Sequence, residues 1–108
     1  MTDEYDKTWG TPVGQDCIDL CSTLPRWLGE RLTFMGNYTQ AAPPSYVDEF
    51  GDGALDAWRD ELTTCGNQLS RWANAGTLEL SSEGVRTALR DATRALHWVA
   101  DNLPTLWD

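Results

Sequence analysis

Apolar residues recur at steps of three and four positions between residues 55 and 72, with polar residues between them. This spacing keeps the apolar side chains on one side of an α-helix, where they can pack against other helices. Asp52 precedes the run and can cap its first turn, and Gly76 follows it as a typical helix stop. We therefore predict a long helix that ends at about Ala75. Its apolar row consists of Leu55, Trp58, Leu62, Cys65, Leu69 and Trp72.

An earlier helix is predicted from about Gln15 to Met35, and its apolar positions cover an unusually wide arc. The residues of one row fall on the a and d core positions of a seven-residue helical repeat. The residues of a second row, beside the first, recur every seven positions. Such a helix is expected to be either central in the fold or shared with a second copy of the chain. Pro25 lacks an N–H group and crowds the preceding turn, so we predict a kink or a split there. The first row is Cys21, Leu24, Leu28 and Met35, and the second is Leu20, Trp27 and Phe34.

A third helix is predicted after Ser81, which is a favourable N-cap residue. Another row at steps of three and four follows it, and Pro104 marks its end. Between the first two long helices, a proline pair at 43–44 is followed by a short additional helix predicted near 46–50. The row of the third helix is Val85, Leu89, Ala92, Leu96, Val99 and Leu103.

Three apolar rows with short connections predict an all-α fold, an antiparallel three-helix bundle. We assign residues 14–108 to a single helical-bundle domain and residues 1–13 to an N-terminal arm. Folding the predicted helices back on one another brings Cys21 level with Cys65, and Cys65 level with Ala92. These three small residues would form one thin layer of the core.

The chain of 108 residues has a formal net charge of −9, which is distributed unevenly. Residues 1–61 contain twelve acidic and four basic residues, a net charge of −8, whereas residues 62–108 contain five and four, a net charge of −1. A surface of this sign repels phosphate, which argues against direct binding to nucleic acid or to an anionic membrane. We expect a basic protein as the partner, including a protein that itself binds nucleic acid.

Much of the negative charge is concentrated in residues 48–61, where Arg59 is the only basic residue. Carboxylates that recur every four residues would project from one side of the second long helix. A solvated acidic surface is the simpler interpretation of this run. The functional interpretation is a row of carboxylates that imitates a phosphate backbone and docks on a basic partner. The full set is Asp48, Glu49, Asp52, Asp56, Asp60 and Glu61.

Trp98 falls outside the apolar row of the third helix, so the pattern turns it outward. An exposed tryptophan is a common interface anchor. Alternatively, the N-terminal arm or the C-terminal tail covers this ring. Trp98 therefore joins the carboxylates as a candidate partner-binding residue.

Cys17, Cys21, Cys65 and the single His97 supply side chains of the types that bind zinc. However, no Cys-x-x-Cys pair is present, and the predicted register separates His97 from the cysteine layer. Core thiols and a surface histidine are the simpler interpretation. We predict no metal and no cofactor, and we retain a small zinc-bound regulatory module as an alternative.

No recognisable catalytic or phosphate-binding motif accompanies His97, so we assign no catalytic residue and predict that the chain is not an enzyme. The acidic N-terminus and the absence of a long apolar run predict a cytoplasmic protein. Seven of the eight basic residues are arginine, which is typical of a GC-rich coding sequence.

These features favour a small acidic protein-binding module, an inhibitor or adaptor of the kind that phages encode, which mimics nucleic acid with its carboxylates. The wide apolar side of the first helix leaves a second possibility, a self-associating structural or assembly protein that forms a homodimer. The zinc-bound module is a third.

Overall fold

A computed structural model describes Tyr5 and residues 7–107 of the chain. All the regular structure in these residues is helical, which confirms the predicted all-α class. Residues 1–4 and 6 of the predicted N-terminal arm lie outside the described residues, and the division into arm and domain stays a prediction. The α-helices are α1 (Pro12–Ile18), α2 (Leu20–Tyr38), α3 (Pro44–Phe50), α4 (Ala54–Ala73) and α5 (Ser82–Asp101), with 3₁₀ turns at Gly51–Gly53 and Leu103–Thr105.

The first predicted helix is split at Asp19 rather than at Pro25. Asp19 has φ −135° and ψ 53°, outside the helical region, and separates α1 from α2. Thr23 donates a hydrogen bond to the carbonyl of Asp16 at 2.8 Å, which satisfies a backbone acceptor at the end of α1. Pro25 lies inside α2. Because α2 begins only five residues earlier, the hydrogen bond that proline cannot donate is lost near its N-terminal end, and the helix continues.

Helix α4 lies between the other two long helices. Helix α2 packs antiparallel along one side of α4, α5 packs on another side, and α2 and α5 scarcely contact each other. The radius of gyration is 16.9 Å, compared with about 13 Å for a compact chain of this length. The three long helices therefore form an open arrangement, and the closed three-helix bundle of the prediction is not confirmed.

Glycine residues allow α2 and α4 to approach each other closely. A Cβ atom built on Gly66 of α4 would lie 2.8 Å from the carbonyl oxygen of Gly29 and 2.8 Å from the amide nitrogen of Thr33. A Cβ atom on Gly36 would lie 3.0 Å from the carbonyl oxygen of Arg59. These contacts place Gly29 level with Gly66. The predicted pairing of Cys21 with Cys65 is therefore wrong, because the glycines rather than the apolar row set the register.

Helix α5 packs on the core through Ala92 and Val99 of the predicted row and through Ala95 beside it, whereas the leucines of that row stay partly exposed. Ala88, Ala92 and Ala95 are buried, whereas Leu89 is 48% exposed and Leu96 is 40% exposed. The small alanine side chains let the two helices approach closely, and the leucines stay exposed. The buried core of the described residues contains Leu32, Trp58, Leu62, Cys65, Leu69, Ala92 and Ala95.

Of three predicted helix starts, two are confirmed and one is wrong. Ser81 is the N-cap of α5, where its hydroxyl accepts a hydrogen bond from the amide of Gly84 at 3.1 Å. The short helix predicted near residues 46–50 is confirmed as α3. Asp52 does not cap α4, because it lies within a 3₁₀ turn and Gly53 occupies the N-cap position without a side-chain hydrogen bond.

Candidate functional site

The predicted carboxylates divide into an exposed group and one paired residue. Glu61 is partly buried and forms an ion pair with Arg94 of α5 at 3.1 Å, so it helps to hold α5 on α4. The remaining five are exposed, and none of them has an ion-pair partner among the described residues. We call them the acidic surface. They are Asp48 and Glu49 on α3, Asp52 in the 3₁₀ turn, and Asp56 and Asp60 on α4.

Arg59, the one basic residue among these acids, points toward α2. Its guanidinium donates from Nε to the carbonyl oxygen of Thr39 at 2.9 Å, and Nη2 bonds to the same oxygen. The guanidinium thereby satisfies a backbone acceptor at the C-terminal end of α2, where cations are favoured. Arg59 therefore does not form an ion pair with the carboxylates of the acidic surface.

Trp98 does not face outward. Its ring centroid lies 5.4 Å from that of buried Trp58, which also packs at 5.0 Å against Tyr46 of α3. Leu106 of the tail packs against the same core. Burial raises the pKa of the Tyr46 phenol, and a hydrogen bond from the Trp98 side chain opposes that shift. Trp98 thus joins α3 and α5 to α4 as part of an aromatic cluster.

A row of exposed residues lies on the wide apolar side of α2, for which the sequence predicted self-association as an alternative without naming site residues. It follows steps of four, three, four, three and four residues, and its apolar members are 46% to 64% exposed. The guanidinium of Arg31, its one charged member, lies 4.3 Å from the centroid of the Trp27 ring, a cation–π contact. We call this row the α2 stripe. It consists of Leu20, Leu24, Trp27, Arg31, Phe34 and Tyr38.

The α2 stripe lies opposite the glycine side of the same helix. Gly29 follows Leu20 by nine residues, about two and a half turns at 3.6 residues per turn. Helix α2 is therefore apolar on two sides, of which α4 covers one. The wide apolar arc in the sequence indicated that this helix has two apolar sides, but it did not indicate which side would stay exposed.

The N-terminal half of the α2 stripe borders an apolar groove of about 290 Å³. Because α2 and α5 scarcely contact each other, a gap stays between them over α4, and leucines from both helices line it. The groove contains Leu20 and Leu24 from α2, Leu69 and Trp72 from α4, and Leu89 and Leu96 from α5.

The four side chains of the alternative zinc site do not come together. Cys17 and Cys21 are exposed near the start of the chain, Cys65 is buried, and His97 is exposed on α5. Within the part of the chain that the structure describes, no group of three or more His, Cys, Asp or Glu residues is placed to hold a metal ion.

Burial raises the pKa of Cys65 from 9.0 to about 11, although the nearby Arg94 guanidinium lowers it. The unfolded chain loses this thiol proton from about pH 9, whereas the folded chain keeps it to about pH 11. The free energy of unfolding should therefore decrease by roughly 2–3 kcal/mol as the pH rises through this window. Denaturant unfolding at several pH values would measure this decrease in the native chain and in a Cys65→Ala variant. Equal pH dependence in the two chains would contradict the prediction.

None of the helices in the described residues combines the length and apolar character needed to cross a membrane. No protein-family model, curated protein or solved structure matches this chain.

Proposed function

We propose that this chain is a self-associating assembly protein that pairs with a second copy of itself through the α2 stripe. The observation that supports this proposal is a helix with two apolar sides and one covered side. Soluble monomers rarely expose apolar patches larger than a few hundred Å², and larger patches mark interaction surfaces. No catalytic step is part of the proposal.

The exposed area is close to what a stable pair of subunits requires. Trp27, Phe34 and Tyr38 are each more than half exposed. At about 150–250 Å² for a complete ring, they together expose roughly 300–450 Å² per copy. The leucines of the α2 stripe and of the groove bring this total toward the ~800 Å² that each partner contributes to a standard interface.

The distribution of charge favours the same surface. Helix α2 contains two arginines and one glutamate, a net charge of +1, in a chain whose net charge is −9. Two copies of an acidic protein repel each other over most of their surface. Contact through the α2 stripe brings few like charges together, and it removes a large apolar area from water.

Replacing Phe34 with aspartate should weaken self-association at least about 30-fold, because a buried aromatic anchor contributes about 2 kcal/mol or more to an interface. Sedimentation equilibrium would measure the change against a native dimer of twice 12.1 kDa. Leu103→Asp is the matched control, because Leu103 is 65% exposed and Phe34 is 64% exposed. A native chain that stays monomeric at high concentration would refute the proposal.

A second candidate function rests on the acidic surface. Its five exposed carboxylates have no ion-pair partner among the described residues, and Arg59 is held inward. This arrangement supports an inhibitor or adaptor that docks on a basic, nucleic-acid-binding protein in place of nucleic acid. Attraction of this kind is screened by salt, whereas apolar pairing through the α2 stripe is not weakened by it.

Neutralising Asp52, Asp56 and Asp60 together as asparagines should abolish salt-sensitive binding of such a partner. Immobilised native chain would be compared with this variant for capture of basic host proteins at low and at high salt. The control neutralises the same number of exposed acids elsewhere, as Glu79→Gln, Glu83→Gln and Asp101→Asn. If the variant and the control capture the same proteins, the acidic surface has no specific role in binding.

A further inference from the structure

We infer that the two copies pair with their α2 helices antiparallel, about a two-fold axis that crosses the stripe between Trp27 and Arg31. The inference rests on the self-association proposed above and specifies its geometry. In a two-fold symmetric pair the same surface of each copy meets itself, so each position of one stripe faces a defined position of the other.

The spacing of the α2 stripe is the same when it is read from either end. Two antiparallel copies centred on residue 29 therefore match along their whole length. Each match joins residues at equal distances on opposite sides of the centre. The matched pairs are Leu20 with Tyr38, Leu24 with Phe34, and Trp27 with Arg31.

The two halves of the stripe have complementary shapes. Leu20 and Leu24 border the groove of about 290 Å³, whereas Phe34 and Tyr38 carry large rings that are 64% and 62% exposed and lie 4.7 Å apart. An antiparallel pair sets the rings of each copy over the groove of the other. A parallel pair would set ring against ring and leave both grooves open to water.

Arg31 also favours the antiparallel orientation. In a parallel pair, Arg31 of one copy would face Arg31 of the other, and the like charges would repel each other at close range. In the antiparallel pair each Arg31 faces Trp27 of the other copy. Within one chain the Arg31 guanidinium lies 4.3 Å from the centroid of the Trp27 ring, which is the same pair of side chains that meets between antiparallel copies.

The distance between two spin labels on the full-length chain distinguishes these orientations. The label is attached to Asn37→Cys, an exposed polar position beside the stripe, after Cys17→Ser and Cys21→Ser remove the exposed native thiols. Antiparallel copies place the labels sixteen residues apart along the pair, on the order of 24 Å at about 1.5 Å per residue. Parallel copies place them about 10 Å apart, the spacing of packed helices. Pulsed dipolar spectroscopy measures the longer separation, and line broadening reports the shorter one.

The outcomes separate the orientation from the self-association itself. A dimer with labels roughly 25–30 Å apart supports the antiparallel pair. A dimer with strong line broadening, or with any other separation, overturns the orientation but leaves the self-association. A monomer in sedimentation overturns both.

A second readout uses disulfide formation between mixed chains in the same serine background. One chain carries Leu24→Cys and the other carries Phe34→Cys, with a mass tag on one of them. The antiparallel pair predicts disulfides between the unlike chains. Disulfides confined to like chains would contradict the antiparallel orientation. If either variant fails to dimerise, the distance between the spin labels decides the orientation.

Discussion

Replacement of Trp58 by alanine is expected to lower the midpoint of denaturant unfolding far below that of the native chain. Trp58 is 1% exposed and lies between the rings of Tyr46 and Trp98. Removal of a buried tryptophan costs about 3–5 kcal/mol, because the surrounding residues cannot fill the cavity. The native fold of a small domain is stable by only about 5–15 kcal/mol in total.

The measurement is the midpoint of denaturant unfolding, followed by helical circular dichroism. Trp107→Ala is the matched control, because Trp107 is 77% exposed and its removal should change the midpoint little. The result would contradict the described packing if the two variants were equally stable. Because Trp58 contacts residues of both α3 and α5, its loss should also release those helices from α4.

Replacement of Gly66 by alanine should destabilise the chain by about 2–3 kcal/mol, although alanine is normally the better residue inside a helix. The added methyl group would lie 2.8 Å from the carbonyl oxygen of Gly29, and that oxygen belongs to the backbone and cannot rotate away. Helix α2 would have to move outward along α4. The same measurement of unfolding detects the loss.

Gly76→Ala provides the control for this substitution, because a Cβ built at that position meets no atom within 4 Å among the described residues, its chain neighbours aside. Its stability should be unchanged or slightly higher, since alanine reduces the freedom of the unfolded chain. If Gly66→Ala proved as stable as Gly76→Ala, the close approach of α2 and α4 would be refuted.

Hydrophobic spacing predicted α4 and the boundaries of α5 well. Leu62, Cys65 and Leu69 of the predicted row are fully buried, and α5 begins after Ser81 and ends at Asp101 as expected. These features follow from local sequence, because a cap and a periodic row act within a few turns of the chain.

The packing of α2 could not be predicted from hydrophobic spacing. Its contact with α4 is made through Gly29 and Gly36, which carry no side chain and so give no hydrophobic signal. The helix was predicted to end at about Met35, yet α2 continues through Gly36 to Tyr38. Glycines seven residues apart on α2, opposite Gly66 on α4, are the signal that could have indicated a close contact.

The candidate sites also differ in how far the local sequence could predict them. The acidic surface was visible in the sequence because exposed charges need no partner to be recognised. The outward position that the pattern gave Trp98 is wrong because it depends on how α5 is rotated against α4, and the packing of Ala92 and Ala95 on the core turns Trp98 toward Trp58. The α2 stripe could not be assigned as exposed because exposure depends on the open arrangement of α2 and α5, which arises from contacts distant in sequence.

The position of α4 between α2 and α5 has a consequence for the order in which the chain folds during synthesis. Helix α2 emerges from the ribosome before α4 exists, and it finds its intramolecular partner only after residue 73 has been added. Until then, both apolar sides of α2 are available to chaperones and to neighbouring nascent chains. A polysome that translates several copies side by side would therefore bring uncovered α2 helices together before any of these chains is complete.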